Sequence, residues 1–442
     1  MKSFRNSILF RKSWIFIILA FSFLFLGFYR DQWQVVREKK FSLFEKDVEA
    51  YVIARMVLTR QSGLFSNGGL LGWGDVNPSD VNEDDYQHQY DTYLKDSSFQ
   101  TYWAKESHPG FQGIFFSALD RISPLSPANN LRIFRMLAAG LFAFMMTGVL
   151  VWFFRELGWL PTLFVFASIL SSQWMTLFGR NLFFVSGLFY FPLLLLLFRL
   201  QNEKTGDQLS QSNLFWIVFV SILIKCLFNG FDFILPTLGM TASPLVFYWV
   251  KDKWSVDKFI RRFLNVALAS LAAILMSLVI LSLQVTLASG SLWEGICSIV
   301  ATFSRRTLGN DVNLLSAYEA ERNASTWSIL KIYLSESYFY NFQIPYFVII
   351  ILFAIVSLIQ VVLSKTRLAA SNNLRKGYAL IAVTWFSILG PLSWYIIFKS
   401  VAYFHTHMNY LPWHMPFTLF GFGLCGFLIQ SLFSSKIKTT NA

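Results

Sequence analysis

The sequence predicts an all-α integral membrane protein of about ten transmembrane helices, with one long polar loop outside the membrane after the first helix. Three observations predict it. The 442 residues are 55% hydrophobic and only 14% charged, with 48 phenylalanines, a balance that cannot cover a soluble surface. Apolar runs of about 17 to 25 residues recur along the chain. Basic residues gather in short connections between alternate runs.

The first run, residues 13–29, follows Arg5, Arg11 and Lys12. A cleaved signal peptide opens similarly, but Arg30-Asp31-Gln32-Trp33 lacks the small residues of a cleavage site, so the run reads as a retained span. The others are 131–154, 160–178, 182–198, 214–228, 233–250, 263–288, 344–363, 378–398 and 412–433. Two pairs are separated only by Gly179-Arg180-Asn181 and by Asn229-Gly230-Phe231-Asp232, each a hairpin or a break in one helix. With ten spans, four basic groups fall on one side: the N-terminus, Lys251 to Arg262, Lys365 to Lys376, and Lys436 with Lys438. The excess of Lys and Arg makes that side the cytoplasm, with both termini inside a cytoplasmic (inner) membrane. The net charge of +12 is thus a matter of topology and does not imply a nucleic-acid partner. Cys226, Cys297 and Cys425 have no metal-binding spacing and read as packing residues.

The chain then divides into an N-terminal tail and first span (1–30), an outer loop (31–130), a helical bundle (131–288), a second outer loop (289–343) and C-terminal spans with a cytoplasmic tail (344–442). The first outer loop carries more than half of the 25 Asp and Glu, so it is the place to look for chemistry. Residues 41–59, FSLFEKDVEAYVIARMVLT, have no Gly or Pro and should be helical. Phe41, Phe44, Val48, Tyr51, Val52 and Met56 give that helix an apolar side, suited to lying in the outer interface. Asp47, Tyr51 and Arg55 share one stripe at i, i+4, i+8, while Glu45 and Glu49 lie nearly opposite. All three acids therefore cannot serve one reaction centre; a solvated, salt-bridged face is the plainer alternative. Residues 62–91 are loop-like, and Asp80, Glu83, Asp84 and Asp85 lack EF-hand spacing. After Ser107-His108-Pro109-Gly110, a second interfacial helix should begin, with His108 at its entrance.

Elsewhere, Lys225, Asn229 and Asp232 share a face near the outer end of a span. Lys225 there pairs with Asp232, snorkels outward or binds an anionic headgroup, and Arg180 offers the same chemistry. Arg305 and Arg306, in the second outer loop, have the planar donor fork that suits phosphate, or are ordinary surface charges. His405, His407 and His414 stand close in sequence near Tyr403, Tyr410 and Trp413. They suit phosphate or sugar contacts better than a metal; no ligand spacing specifies one, and a divalent ion is left open as a cofactor.

These elements together resemble the GT-C superfamily of membrane glycosyltransferases. The likeness rests on Phe44-Glu45-Lys46-Asp47-Val48-Glu49-Ala50-Tyr51 in the first outer loop and on His108-Pro109-Gly110 before the second interfacial helix. The family's adjacent Asp-Glu pair is absent, and Gly110 stands where its second proline falls. The resemblance, closest to mannosyl- and aminoarabinose-transferases, implies a polyprenyl-phosphate-linked sugar donor that enters from the membrane lipids. The acceptor is a glycan, lipid or protein on the outer face. It implies Asp47 as general base in an inverting transfer, Glu49 and Tyr51 beside it, and His108 orienting a substrate. Arg180, Lys225, Arg305, Arg306, His405 and His407 would face the leaving phosphate. Rival expectations are a polysaccharide polymerase or ligase working through outer arginines, and a transporter or flippase. No internal repeat or intramembrane charge path favours transport.

Overall fold

The computed structural model describes residues 2–76, 82–203, 209–308, 325–339, 342–365, 371–406 and 408–439. The chain opens with helix α1 (Lys2–Arg30) and then builds a cap. The cap comprises α2 (Glu38–Ser62), β1 (Gly72–Gly74), α3 (Glu83–Leu94), β2 (Tyr102–Ala104) and α4 (Phe111–Ile122). The two short strands pair antiparallel, with Trp73 opposite Trp103, and are the sole sheet among the described residues. Next come α5 (Pro127–Leu157), α6 (Trp159–Leu170), α7 (Gln173–Phe178), α8 (Gly187–Asn202), α9 (Gln211–Asn229) and α10 (Ile234–Asp252). They are followed by α11 (Val256–Ser289), α12 (Leu292–Leu308), α13 (Thr326–Ser335) and α14 (Tyr346–Lys365). The last are α15 (Ser371–Ser387), α16 (Leu389–Ile397), α17 (Lys399–Phe404) and α18 (Phe417–Thr439).

Five stretches are long and apolar enough to cross a membrane: Pro127–Leu157, Gln211–Asn229, Val256–Ser289, Tyr346–Ser364 and Asn373–Ile397. Their outward faces are apolar. On α11, Leu264, Leu268, Leu271, Leu275, Val279 and Leu283 are all exposed along one face. Leaving such a stripe in water costs about 25 cal/mol per Å² of apolar surface, so its natural neighbour is hydrocarbon. The protein is all-α and membrane-embedded.

Some of the expected spans are broken. The run 160–178 splits because Ser172 caps a new short helix, its Oγ accepting from Met175 N–H at 3.2 Å. The run 182–198 becomes helical only from Gly187. Before it, Asn181 Oδ1 accepts from the N–H groups of Phe183 and Phe184 and holds the chain in a turn. The run 378–398 falls, but for its last residue, within the crossing stretch Asn373–Ile397 and is marked only by one turn residue, Ile388, just ahead of Pro391, which cannot donate to the ladder. The segment 289–343, expected as a loop, contains the helices α12 and α13. Cys226 and Cys425 are buried as expected of packing residues, but Cys297 is exposed on α12.

Charges at helix ends tie those ends together. Lys251 Nζ lies 2.6 Å from Glu156 and Lys376 3.7 Å from the same carboxylate, joining the ends of α5 and α10 to the start of α15. Arg262 pairs with Glu203, joining the end of α8 to the start of α11. Lys251 and Arg262 are each only 4% exposed. At the opposite end α11 props the cap, because Gln284 Nε2 donates to Gly68 O at 3.0 Å and Pro109 O at 2.8 Å.

The break between α9 and α10 is set by Gly230, whose φ is +55°. A Cβ at this position would lie 2.5 Å from His108 Cδ2, so the ring of the cap histidine fits only over a glycine. Gly230→Ala should therefore lower stability by roughly 2–4 kcal/mol, from backbone strain and overpacking together. Gly290→Ala also has a positive φ but nothing within 4 Å, and should cost only about 1 kcal/mol. Thermal unfolding of both variants in detergent checks the contrast; equal losses would assign the whole cost to φ.

Candidate active site in the cap

Helix α2 is enclosed more completely than its apolar stripe predicts. From Phe44 to Thr59 nearly every residue is buried, Glu45, Glu49 and Arg55 included, because α3, α4 and β1 cover what was expected to face the interface. Three of its carboxylates, Glu45, Asp47 and Glu49, then take different fates.

Glu49 is wholly buried and accepts four hydrogen bonds. They come from Arg135 Nε at 3.1 Å and Nη2 at 2.7 Å, Tyr90 OH at 3.0 Å and Leu182 N–H at 3.1 Å. Burial pushes the Glu49 carboxyl up from its usual value, and the Arg135 guanidinium pulls it back. Glu45 bridges Arg135, at 2.7 Å, and Arg180. Arg180 Nη1 also donates to Tyr29 O at 2.6 Å, at the end of α1. Glu49 and Arg180, expected to meet a substrate, are thus committed to holding the cap on the bundle. A second clamp repeats the design. Asp120 accepts from Arg60 Nε at 2.8 Å, Tyr93 OH at 2.6 Å and Asn130 Nδ2 at 2.8 Å.

Asp47 faces the other way and is half-buried. Its carboxylate accepts from the Tyr86 hydroxyl, whose pKa burial and the nearby Asp47 charge push well up. Around it stand aromatic rings: Tyr51 is 4.6 Å from Trp73, and Trp73 stacks on Tyr86 at 5.6 Å. Lys105 Nζ sits 3.8 Å over the Tyr51 ring and 5.0 Å from Phe183. Phe183 in turn lies 5.1 Å from the His108 ring. His108 is fully buried at the entrance of α4, its Nδ1 accepting from Gly110 N–H at 3.0 Å. The fold therefore brings Asp47, Tyr51 and His108 to one side of α2.

Lys105 and Phe183 link them, and neither was singled out in the sequence. Lys105 precedes Glu106 and looks like one half of a solvated pair. Only the pairing of β2 with β1 turns its ammonium onto the aromatic faces, and among the described residues it makes no ion pair there. Arg55, on the Asp47 stripe, is fully buried and donates instead to Leu64 O at 2.5 Å and Ser66 O at 2.6 Å, pinning the turn after α2.

Of the other expected contacts, Lys225 does not join this group. Lys225 is buried and donates to Gly230 O at 2.9 Å and Asp232 O at 2.7 Å, satisfying carbonyls at the α9–α10 break rather than reaching outward. It thereby steadies the turn that receives His108. Arg305 and Arg306 fall in the last turn of α12, where only the backbone is described. His405 is half-buried at the end of α17, and His407 lies outside the described residues. His414 is buried separately among Tyr346 OH at 3.0 Å, Ser172 Oγ at 3.3 Å and Thr418 Oγ1 at 3.3 Å. Among the described residues, no three His, Cys, Asp or Glu cluster as metal ligands.

This arrangement can accept a hydroxyl proton at a half-buried carboxylate, stack a sugar ring against Tyr51 or Tyr86, and place an ammonium beside an anionic group. No protein-family model, curated protein or solved structure matches this chain.

The two sides of α2 should separate in stability measurements. Arg135→Leu strands Glu45 and Glu49 beside an apolar residue and should cost about 3–5 kcal/mol. Asp47→Asn keeps its shape and half-exposed setting and should cost less than about 1 kcal/mol. Unfolding midpoints in one detergent compare them; a large loss for Asp47→Asn would make Asp47 part of the scaffold.

Proposed function

We propose that the chain is a GT-C-type membrane glycosyltransferase. It moves a sugar from a polyprenyl-phosphate donor to a glycan, lipid or protein acceptor on the outer face of the cytoplasmic membrane. The observation that carries this reading is the division of labour on α2. Glu45 and Glu49 are held by arginines, whereas Asp47 is half-buried against a wall of aromatic rings with the Lys105 ammonium across Tyr51.

In this reading the acceptor hydroxyl donates to Asp47. As its oxygen attacks the anomeric carbon, Asp47 takes the proton, the bond from that carbon to the lipid phosphate breaks, and configuration inverts. The lipid phosphate leaves with the bonding pair, and Lys105 stabilises the developing charge. Tyr86 orients the carboxylate, and His108 fixes the entrance of α4 beside the reacting groups. The ten-span arrangement with both termini in the cytoplasm belongs to the same proposal. It is supported by the shared helix ends at Glu156–Lys251–Lys376 and Glu203–Arg262, far along the helices from the cap.

The test is glycan transfer in membranes carrying matched amounts of each variant, read as the mass of cell-surface glycans and lipid-linked sugars. Asp47→Asn should slow one defined sugar addition by about 10²–10⁴-fold. Lys105→Ala should slow the same addition by about 10²-fold. A silent Asp47→Asn beside an inactive Arg305→Ala, Arg306→Ala variant would transfer the assignment to a polymerase or ligase. Glycans unchanged even when the gene is deleted would sink the transferase reading and direct attention to transport.

A further inference from the structure

Helix α12 distributes its residues inside out. It folds back on α11 after Gly290, whose φ is +78°, and touches it through Gly295, where a Cβ would lie 2.7 Å from Ser282 O and 3.0 Å from Thr286 Oγ1. One turn on, Ile299 packs against the cluster of Leu70, Leu281 and Val285. Between Leu292 and Ser304 the residues shielded at least in part are Gly295, Ser298, Ile299, Thr302 and Ser304, and only Ile299 among them is large and apolar. The outward residues include Leu292, Trp293, Ile296 and Val300, with Trp293 72% exposed. At about 100° per residue, these four and Cys297 fall within an arc of about 140°. Glu294, in the first turn, sits at the edge of that arc and is the one exposed carboxylate or cation among the described side chains of α12.

In water an amphipathic helix turns its apolar stripe inward. In hydrocarbon the order reverses: small residues let backbones approach, and large apolar residues meet acyl chains. The neighbour of α12 points the same way. The lipid-facing stripe of α11 reaches Leu283, and Leu287, one turn later and 75% exposed, carries it to the turn at Gly290. Leu292 and Trp293 resume it on the far side of that turn, so apolar exposure runs from a surface already in hydrocarbon into α12. A tryptophan beside a carboxylate suits the headgroup level. Beyond Glu294, no Asp, Glu, Lys or Arg occurs before Arg305.

We infer that α12 is seated in the membrane leaflet nearer the cap, with Trp293 and Glu294 among headgroups and Ile296, Cys297 and Val300 against acyl chains. The partner of this face is the lipid bilayer, and the segment 289–343, expected as an aqueous loop, begins within the membrane. The seating also bears on the cap. Leu70 of the cap belongs to the cluster that receives Ile299, and Ala104 of β2 packs against the same cluster, so a helix held by lipid braces the strand next to Lys105. Lipid seating is independent of whatever chemistry the cap performs.

The chain carries its own probe, because Cys297 is exposed within the outward arc whereas Cys226 and Cys425 are buried. A nitroxide attached at Cys297 of the full-length protein, in vesicles of phosphatidylethanolamine and phosphatidylglycerol, reports collisions with oxygen, which concentrates in hydrocarbon, and with a water-soluble nickel chelate. Leu275→Cys on the α11 stripe and Lys95→Cys at the end of α3, each in a Cys297→Ser background, supply the lipid and water references. The label at Cys297 should match the lipid reference, with oxygen collisions several-fold above those of the nickel chelate. A label at Ser298→Cys in the same background, turned inward, should meet both agents less often. Nickel collisions at Cys297 equal to those at Lys95→Cys would place α12 in water and overturn the inference. Low collisions with both agents at Cys297 would mean that protein covers the face, a second copy of the chain where spin–spin broadening appears, and would overturn it equally. Because the deciding label sits on the native thiol, a variant that fails to fold cannot produce either outcome.

Discussion

The cap depends on one buried ion network. Glu45 and Glu49 of α2 meet Arg135 of α5 and Arg180 of the turn after α7, with Tyr90 and Leu182 N–H completing the shell. A carboxylate without exposure survives only when its lone pairs are filled, and here the partners come from α3, α5 and the turn after α7. The network therefore fixes α2 in both rotation and height against the bundle. Asp120, clamped by Arg60, Tyr93 and Asn130, does the same at the other end of α2.

That constraint gives Asp47 its position. Once Glu45 and Glu49 point at the bundle, helical geometry turns Asp47 to the opposite side, toward Tyr86 and the Tyr51–Trp73 pair. Lys105 reaches the same place through the short β1–β2 ladder, and His108 through the capped start of α4. The buried lysine of α9 and the glycine after it work to the same end, since they shape the turn under His108. Asp47 and Lys105 are thus half-buried, and His108 buried, on a frame whose ion pairs are closed.

Much of this was legible in the sequence. The apolar runs, the helix over 41–59, the opposed stripes of Asp47 and the two glutamates, and a helix start near Pro109 follow from periodicity and local propensity alone. The roles of Arg180 and Lys225 were not legible. A cation near a span end has the same sequence signature whether it awaits a phosphate or closes a carboxylate and a set of carbonyls. The broken runs at 160–178 and 182–198 were equally hidden, because Ser172 and Asn181 act as caps only when tertiary packing excludes a continuous helix.

The sequence by itself determined that the chain is helical, lives in a membrane and concentrates its acids in one segment, 31–130, because hydropathy and period are properties of neighbours along the chain. Tertiary structure alone decided which acid is spent on an arginine and which stays accessible. It also set Lys105 over Tyr51 and Lys40 over Trp174. Those outcomes depend on residues up to 135 positions apart, and no local pattern encodes which distant partner satisfies a buried charge.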